Sequence, residues 1–457
     1  MVHHSQVTPV VRTLEQYEDL LPLHEVNPER YPWLLESVAH GTEHARYDIL
    51  FAFPGQRLTL DSSGRLDGPV RGSGFLSALD EWWGQKSVQC SKAHSLPFTG
   101  GWFLFLGYEL AGEIESHLRL SPVRDRLPVA FASRIPAAII RDHRTRQTLL
   151  VAEPGHEPLL ELLAADLEVA AGETSVSSQM QYPVPVTEEP AQRYLGVVEK
   201  AKQYVIEGDI FQANLSRLWS GTHNGSMDAV QLYRNLRRNN AAPFAGLARF
   251  DDMAIISSSP ERLVAVRGGV AETRPIAGTR PRDELQAQDR VNSVELLGHP
   301  KERAEHVMLI DLERNDLGRV CVPGSIEVNE LMVLESFAHV HHIVSNVRGR
   351  LRPDVTPGEV IRAVFPGGTI TGCPKVRCME IIAELEVEGR GAYTGSMGYL
   401  NRDGSMDLNI LIRTMVMSEG QLSFRAGAGI VADSVPEQEL EETRAKARGL
   451  LLALAPP

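Results

Sequence analysis

The chain has 457 residues, is 43% hydrophobic, and carries a formal net charge of −13 from 46 basic and 59 acidic residues. That length exceeds one compact core of ordinary size, so two domains or one large elaborated fold are expected. The acidic balance argues against a nucleic-acid binder, which needs a basic face, but not against small anions held in one locally basic pocket.

The N-terminal MVHHSQVTPVVRTLEQYEDL has no apolar run of signal-peptide length, and no stretch approaches a membrane span of about 20 apolar residues. A soluble, cytoplasmic protein without membrane contact is expected. Residues 1–172 read as one N-terminal region. They hold strand-like runs YDILFAF, GWFLFLGYEL, PAAIIRDH and QTLLVAE, followed by the helical EPLLELLAADLEVAA. Residues 173–189, rich in Ser, Pro, Thr and Glu, read as a linker. Residues 190–457 read as a second region, opening with an amphipathic helix in AQRYLGVVEKAKQYVIEGDI. Strands are expected in ARFDDMAIISSS, RLVAVRGGVAETRPIAG, LMVLESFAHVHHIVSNVRG, SMGYLNRDGSMDLNILIRTMVMS and QLSFRAGAGIV. Helices are expected near 284–309, 357–363, 374–385 and 436–454. The turn signals RDG and SEG predict antiparallel pairing.

The four cysteines, Cys90, Cys321, Cys373 and Cys378, lack the paired spacing of a zinc site and read as reduced thiols. No glycine fingerprint of a dinucleotide enzyme follows a strand. Two Glu-x-x-Glu pairs stand out, Glu302/Glu305 and Glu439/Glu442. On a helix each pair shares a face. Alone, either pair reads as a solvated helix face. Four such acids in one pocket would repel each other unless a cation sat among them, and oxygen-only ligation suits Mg²⁺.

Read in order, FQANLSR, SSSPERL, RPIAGTRPR, AEHVMLIDLERNDLGRV, VHHIVSNV, FPGGTITGCPKVRCMEII, YTGSMGY, MDLNILIRTM and AGAGIVADSVPEQELEETRAKA resemble the chorismate-utilising family across residues 190–450. Its members are anthranilate synthase component I, aminodeoxychorismate synthase component I, isochorismate synthase and salicylate synthase. The resemblance implies an α/β (mixed α+β) fold, with large antiparallel sheets in a central sandwich surrounded by helices. It implies that 190–457 is the chorismate-binding catalytic region and that Glu261 is the general acid expelling the 4-hydroxyl. Glu305 and Glu442 would hold Mg²⁺, with Glu302 and Glu439 beside them. His342 would lie near the ring carboxylate, although a lone histidine is more often structural. Arg413, Tyr393 and Lys446 would hold the second carboxylate, helped by backbone N–H groups of Ala428 and Gly429 and by the turn bearing Gly368 and Thr369. Ala277 and Thr279, in RPIAGT, complete the expected catalytic set.

Gln212 occupies the place of a lysine base in the members that activate water. A neutral amide cannot act as that base, which points to ammonia as nucleophile. FPGGTITGCPK, QANLSR, MDLNI and the N-terminal GWFLFLGYELAGEIE side with aminodeoxychorismate synthase, which aminates chorismate at C4. Ala277 sides with anthranilate synthase, because many C4 aminators carry a lysine there that forms a covalent adduct. The expectation is C4 amination, with C2 amination and pyruvate elimination as the alternative. A non-catalytic chorismate- or tryptophan-sensing subunit is a further alternative. No glutamine-hydrolysing module is visible, so a separate glutaminase subunit is expected to supply ammonia. Leu35, Glu36 and Ser37, in LLES, match an element bordering a tryptophan site in the family; the plainest local reading is a helix start.

Overall fold

The computed structural model describes residues 8–14, 19–38, 45–88, 96–172, 184–223, 228–282, 286–336, 340–418 and 420–455. Its strands arise where β-branched and aromatic residues alternate or run continuously, and tight turns fold neighbouring strands back on each other. Arg262–Arg267 and Val270–Thr273 are joined by Gly268 and Gly269, with φ of +58° and +74°. Two successive left-handed residues suit the right-handed twist of a hairpin, and glycine adopts them without strain. RDG likewise joins Ser396–Asn401 to Met406–Asn409, and the turn at Gly420 joins Thr414–Ser418 to Gln421–Ile430.

Among the described residues, two antiparallel sheets result. The twelve-stranded sheet runs from Val10–Leu14 through Gln147–Ala152, Ala137–Asp142, Tyr47–Ala52 and Trp33–Glu36. It continues through Phe244–Phe250, Met253–Ser259, Thr414–Ser418, Gln421–Ile430 and Gln212–Thr222 to Val186–Glu188, and Gly372–Cys373 also pairs with Gln212–Thr222. The eleven-stranded sheet runs from Ile276–Pro281 through Val340–Arg350, Val270–Thr273, Arg262–Arg267, Met406–Asn409 and Ser396–Asn401. It then passes Gly101–Leu106, Ala130–Ile135 and Arg57–Leu60 to Leu66–Asp67, and Glu327–Ser336 pairs with Val340–Arg350.

Strands from both sides of the expected linker enter both sheets. Of the linker itself, residues 173–183 lie outside the described residues. Its end, Val186–Glu188, is a strand paired with Trp219–Gly221. LLES is also strand rather than helix start: Trp33–Glu36 lies between Tyr47–Ala52 and Phe244–Phe250. An apolar run this short fits either structure locally, and the two flanking ladders decide it. The helix expected near 284–309 is two, Gln286–Gly298 and Pro300–Gly318, broken where Pro300 lacks the N–H that would continue the first.

An aromatic seam joins the sheets. Trp33 and Phe51 of the first meet Phe103, Phe105 and Phe131 of the second, and Trp33 stacks on Phe103 at 4.7 Å. Helices Pro158–Gly172, Ala229–Asn239 and Pro436–Ala453 cover the first sheet. Helices Phe75–Lys86, Pro300–Gly318 and Pro357–Val364 cover the second. No helix among the described residues is long and apolar enough to cross a membrane.

Candidate functional site

Glu261 follows the strand Met253–Ser259 and turns inward, 6% exposed. Burial pushes its carboxyl up to about 7, against the pull of Lys446 and Arg413. Thr369, in the turn Gly368–Ile370, donates its hydroxyl to Glu261 Oε1 at 2.7 Å. With that oxygen occupied as acceptor, the other is left to carry a proton. A carboxyl half-protonated near neutrality has the properties a general acid needs.

Two cations face it. Arg413 adopts φ of +53°, a left-handed backbone that side chains rarely take. Its guanidinium is desolvated and lies near Glu261, Tyr393 and Glu442. Thr394, next to Tyr393, has φ of +63°, and its N–H bonds Leu411 O at 2.8 Å. The segments bearing Tyr393 and Arg413 are thus tied together in strained conformations, which cost roughly 1–3 kcal/mol each and concentrate at functional sites. Lys446, on the C-terminal helix, bonds Gly427 O at 2.9 Å and Glu442 at 2.7 Å.

The wall opposite is the strand Gln421–Ile430. Its residues 425–430 pair, among the described residues, only with Gln212–Thr222, so one backbone edge is open at Ala428 and Gly429. Gln212 is buried and lies across Gly429, and its Oε1 has no hydrogen-bond partner. Gly427 admits a close approach: a Cβ there would stand 2.8 Å from both Tyr393 Oη and Asn214 Oδ1. Glycine therefore lets the phenol and the amide lie directly on the strand. Burial raises the Tyr393 hydroxyl to about 12, so it remains a donor at any working pH.

His342 lies in Val340–Arg350 with Nδ1 3.3 Å from Gly278 O. Burial and nearby Arg413 lower it to about 4, leaving a neutral ring. Ala277 is half-buried in Ile276–Pro281 and pairs with Ile343. The Thr279 backbone pairs with His342; its side chain lies outside the described residues.

The acid pairs are on two helices, Glu302/Glu305 on Pro300–Gly318 and Glu439/Glu442 on Pro436–Ala453. Among the described residues, no three His, Cys, Asp or Glu side chains stand together as a metal-ligand group. Each pair is drawn to a basic neighbour instead: Arg280 to Glu302 at 3.3 Å, and Lys446 to Glu442. The donors are nonetheless all hard oxygens, the chemistry Mg²⁺ takes, so the residues suit the ion once those two contacts yield.

Leu35, Glu36 and Ser37 line a separate small cavity with Tyr47, Phe244, Met397 and Asn409. Glu36 is held by Tyr233 and Arg237, and Ser37 Oγ donates to Pro243 O at 3.2 Å.

Asn214 and Gly427 were not among the expected site residues. Their signal lay in FQANLSR and AGAGIV: an amide two residues beyond Gln212 shares its strand face, and the alternating glycines mark where side chains cross a strand.

Similar proteins share this sequence and fold. A family model described as chorismate binding enzyme matches residues 43–452. An anthranilate synthase component I-like protein of Synechocystis sp. is 46% identical over 361 residues, 79% of this chain and 73% of its own. Aminodeoxychorismate synthase component 1 of Klebsiella aerogenes is 38% identical over 430 residues, 92% of this chain and 93% of its own. The crystal structure of anthranilate synthase component I from Streptococcus pneumoniae superposes with a TM-score of 0.80 at 32% identity, covering 90% of this chain and 93% of that one. A family match spanning residues 43–452, with relatives that cover most of both chains and a solved structure of the same fold, makes this chain a member of the chorismate binding enzyme family.

Proposed function

We propose that this chain aminates chorismate at C4 with loss of the 4-hydroxyl, giving 4-amino-4-deoxychorismate for p-aminobenzoate and folate synthesis. Gln212, an amide buried in the site where water-activating members need a base, carries the choice of ammonia, and FPGGTITGCPK, QANLSR and MDLNI carry the choice of C4. Ammonia is already a nucleophile and needs no base. Glu261 protonates the departing 4-oxygen, which leaves as water. Thr369 holds Glu261 in place. Arg413 and Tyr393 bind a substrate carboxylate, Arg413 with two parallel N–H groups. Lys446 and the open edge at Ala428 and Gly429 supply further donors. Glu305 and Glu442, with Glu302 and Glu439, would hold Mg²⁺, which when bound would neutralise the ring carboxylate and draw electron density from the ring.

Ala277 favours a second reading, amination at C2 with pyruvate elimination, because alanine cannot form a covalent adduct. Relatives of both activities match this chain.

A separate glutaminase subunit would deliver ammonia. The isolated chain should then consume chorismate with ammonium at alkaline pH, and glutamine should not replace ammonium. A chelator should stop the reaction and Mg²⁺ restore it. Equal turnover in chelator would sink the metal assignment.

Tryptophan is proposed to bind the cavity at Leu35 and Ser37 without necessarily regulating. Calorimetric titration should show saturable binding that a bulky Ser37→Phe abolishes. No heat at millimolar tryptophan would remove this site.

A further inference from the structure

Two amide oxygens in the site have no donor assigned to them. Gln212 and Asn214 lie two apart on Gln212–Thr222, so their side chains share one face of the sheet. Gln212 as a whole is 8% exposed. Among the described residues, neither Gln212 Oε1 nor Asn214 Oδ1 has a hydrogen-bond partner, although both atoms are buried. A buried acceptor left without a donor costs free energy, so two of them side by side point to a ligand that brings N–H or O–H groups.

The backbone fixes both residues. Gln212 pairs with Cys373, and its carbonyl accepts from Cys378 Sγ at 3.0 Å. The Asn214 N–H donates to Thr371 O at 2.9 Å, and its carbonyl accepts from Arg390 at 2.7 Å. Arg390 also bonds Ile370 O at 3.0 Å. The strand bearing the amides is thus tied to the Gly368–Ile370 turn, whose Thr369 bonds Glu261. On the facing strand, Gly429 pairs directly with Asn214, and the Gln212 amide lies where a Cβ of Gly429 would stand. At Gly427 a Cβ would meet Asn214 Oδ1 and Tyr393 Oη, each at 2.8 Å, and Lys446 bonds Gly427 O. The two amides therefore touch both halves of the site: the turn of the general acid and the groups assigned to the substrate carboxylate.

An amide oxygen accepts hydrogen bonds and donates none. A substrate carboxylate offers only acceptors, so it cannot satisfy these atoms. Ammonia offers three N–H groups and one lone pair. We propose that Gln212 Oε1 and Asn214 Oδ1 together hold the ammonia, each accepting one N–H, so that its lone pair is left free for the ring carbon. This rests on the ammonia-using reading above and holds for attack at C4 or C2. The lone pair becomes the C–N bond. The electrons of the C–O bond leave with the 4-oxygen, which takes the Glu261 proton and departs as water. The nitrogen carries a positive charge until solvent removes one proton. Two carbonyl dipoles already aimed at it stabilise that charge as it develops.

The test is steady-state kinetics at one alkaline pH, varying ammonium at saturating chorismate and chorismate at saturating ammonium. Asn214→Leu, similar in shape but without the oxygen, should lower kcat/KM for ammonia about tenfold and leave KM for chorismate unchanged. Asn214→Ala should do the same, and reads the loss if the leucine variant does not fold. Asn214→Asp keeps an acceptor oxygen and should fall less than either. A loss confined to KM for chorismate would overturn the proposal, because Asn214 would then act by orienting the Tyr393 hydroxyl on the substrate. An unchanged kcat/KM for ammonia would overturn it too, while leaving ammonia as the nucleophile. Chorismate consumed without ammonium would overturn both the proposal and the reading beneath it. A second measurement needs no turnover. Ammonium titrated into wild type carrying nitrogen-15 in its asparagine side chains should shift the Asn214 amide resonance saturably, a signal identified by its loss in Asn214→Asp. No shift would overturn the proposal whether or not the chain turns chorismate over.

Discussion

Glu261→Gln should lose turnover by about 10³-fold while keeping its fold and its affinity for chorismate. Glutamine has the same shape and can still accept from Thr369, so the 2.7 Å contact survives. What it cannot do is give up a proton to the 4-oxygen. Because the loss is confined to the chemical step, kcat should fall with KM nearly unchanged. The wild-type pH profile should carry the mark of the same group. Its folded value, about 7, lies above the ordinary 4.5, so the active protonated form is lost as pH rises through that region. At constant free ammonia, turnover should therefore decline on the alkaline side. The same shift has a stability consequence: an acid that resists ionisation when folded costs stability above its unfolded value, increasingly as pH rises toward the folded one. Stopped-flow kinetics with chorismate titration separates the two effects. A variant with wild-type kcat would remove Glu261 as the acid.

Arg413→Gln should raise KM for chorismate and lower kcat/KM about 100-fold, the cost of losing one partner of a desolvated, charge-assisted contact. The guanidinium is held among Glu261, Tyr393 and Glu442 by a backbone bent into the left-handed region, an arrangement that is costly unless an anion uses it. Arg413→Lys is the sharper comparison. It keeps the charge but offers no planar fork, so it should recover only part of the loss. Full recovery by lysine would show a simple charge contact, and an unchanged KM in both variants would place the substrate carboxylate elsewhere.

Much of this fold was readable because its strands carry their own punctuation. The RDG and SEG turns between β-rich runs fix local hairpins regardless of what lies further away. The sheet order was not readable. Trp33–Glu36 pairs with Phe244–Phe250, more than two hundred residues on, and nothing in LLES distinguishes that partner from a helix start. The same limit hid Val186–Glu188, which becomes a strand only because Gln212–Thr222 offers an edge.

The site divides in the same way. Glu261, Thr369, Tyr393, Arg413 and Lys446 lie in long unusual motifs, and the fold brings them together. Glu313 sits inside one of those motifs as well, but DLERND reads as an ordinary charged helix. Only the packing of Gly368 against Leu312 and Glu313 of that helix places one of its acids under the Gly368–Ile370 turn. The Glu-x-x-Glu pairs mark helix faces, and a helix face does not reveal whether its carboxylates meet a second pair or a neighbouring arginine.

The position of the new C–N bond tests the central proposal most directly. Purified chain, chorismate, Mg²⁺ and ammonium at alkaline pH should yield a product that retains the enolpyruvyl group, identified by mass spectrometry. An added lyase should convert that product to p-aminobenzoate. Fluorescent anthranilate released with stoichiometric pyruvate would contradict C4 amination and make Ala277 the residue that sets the outcome.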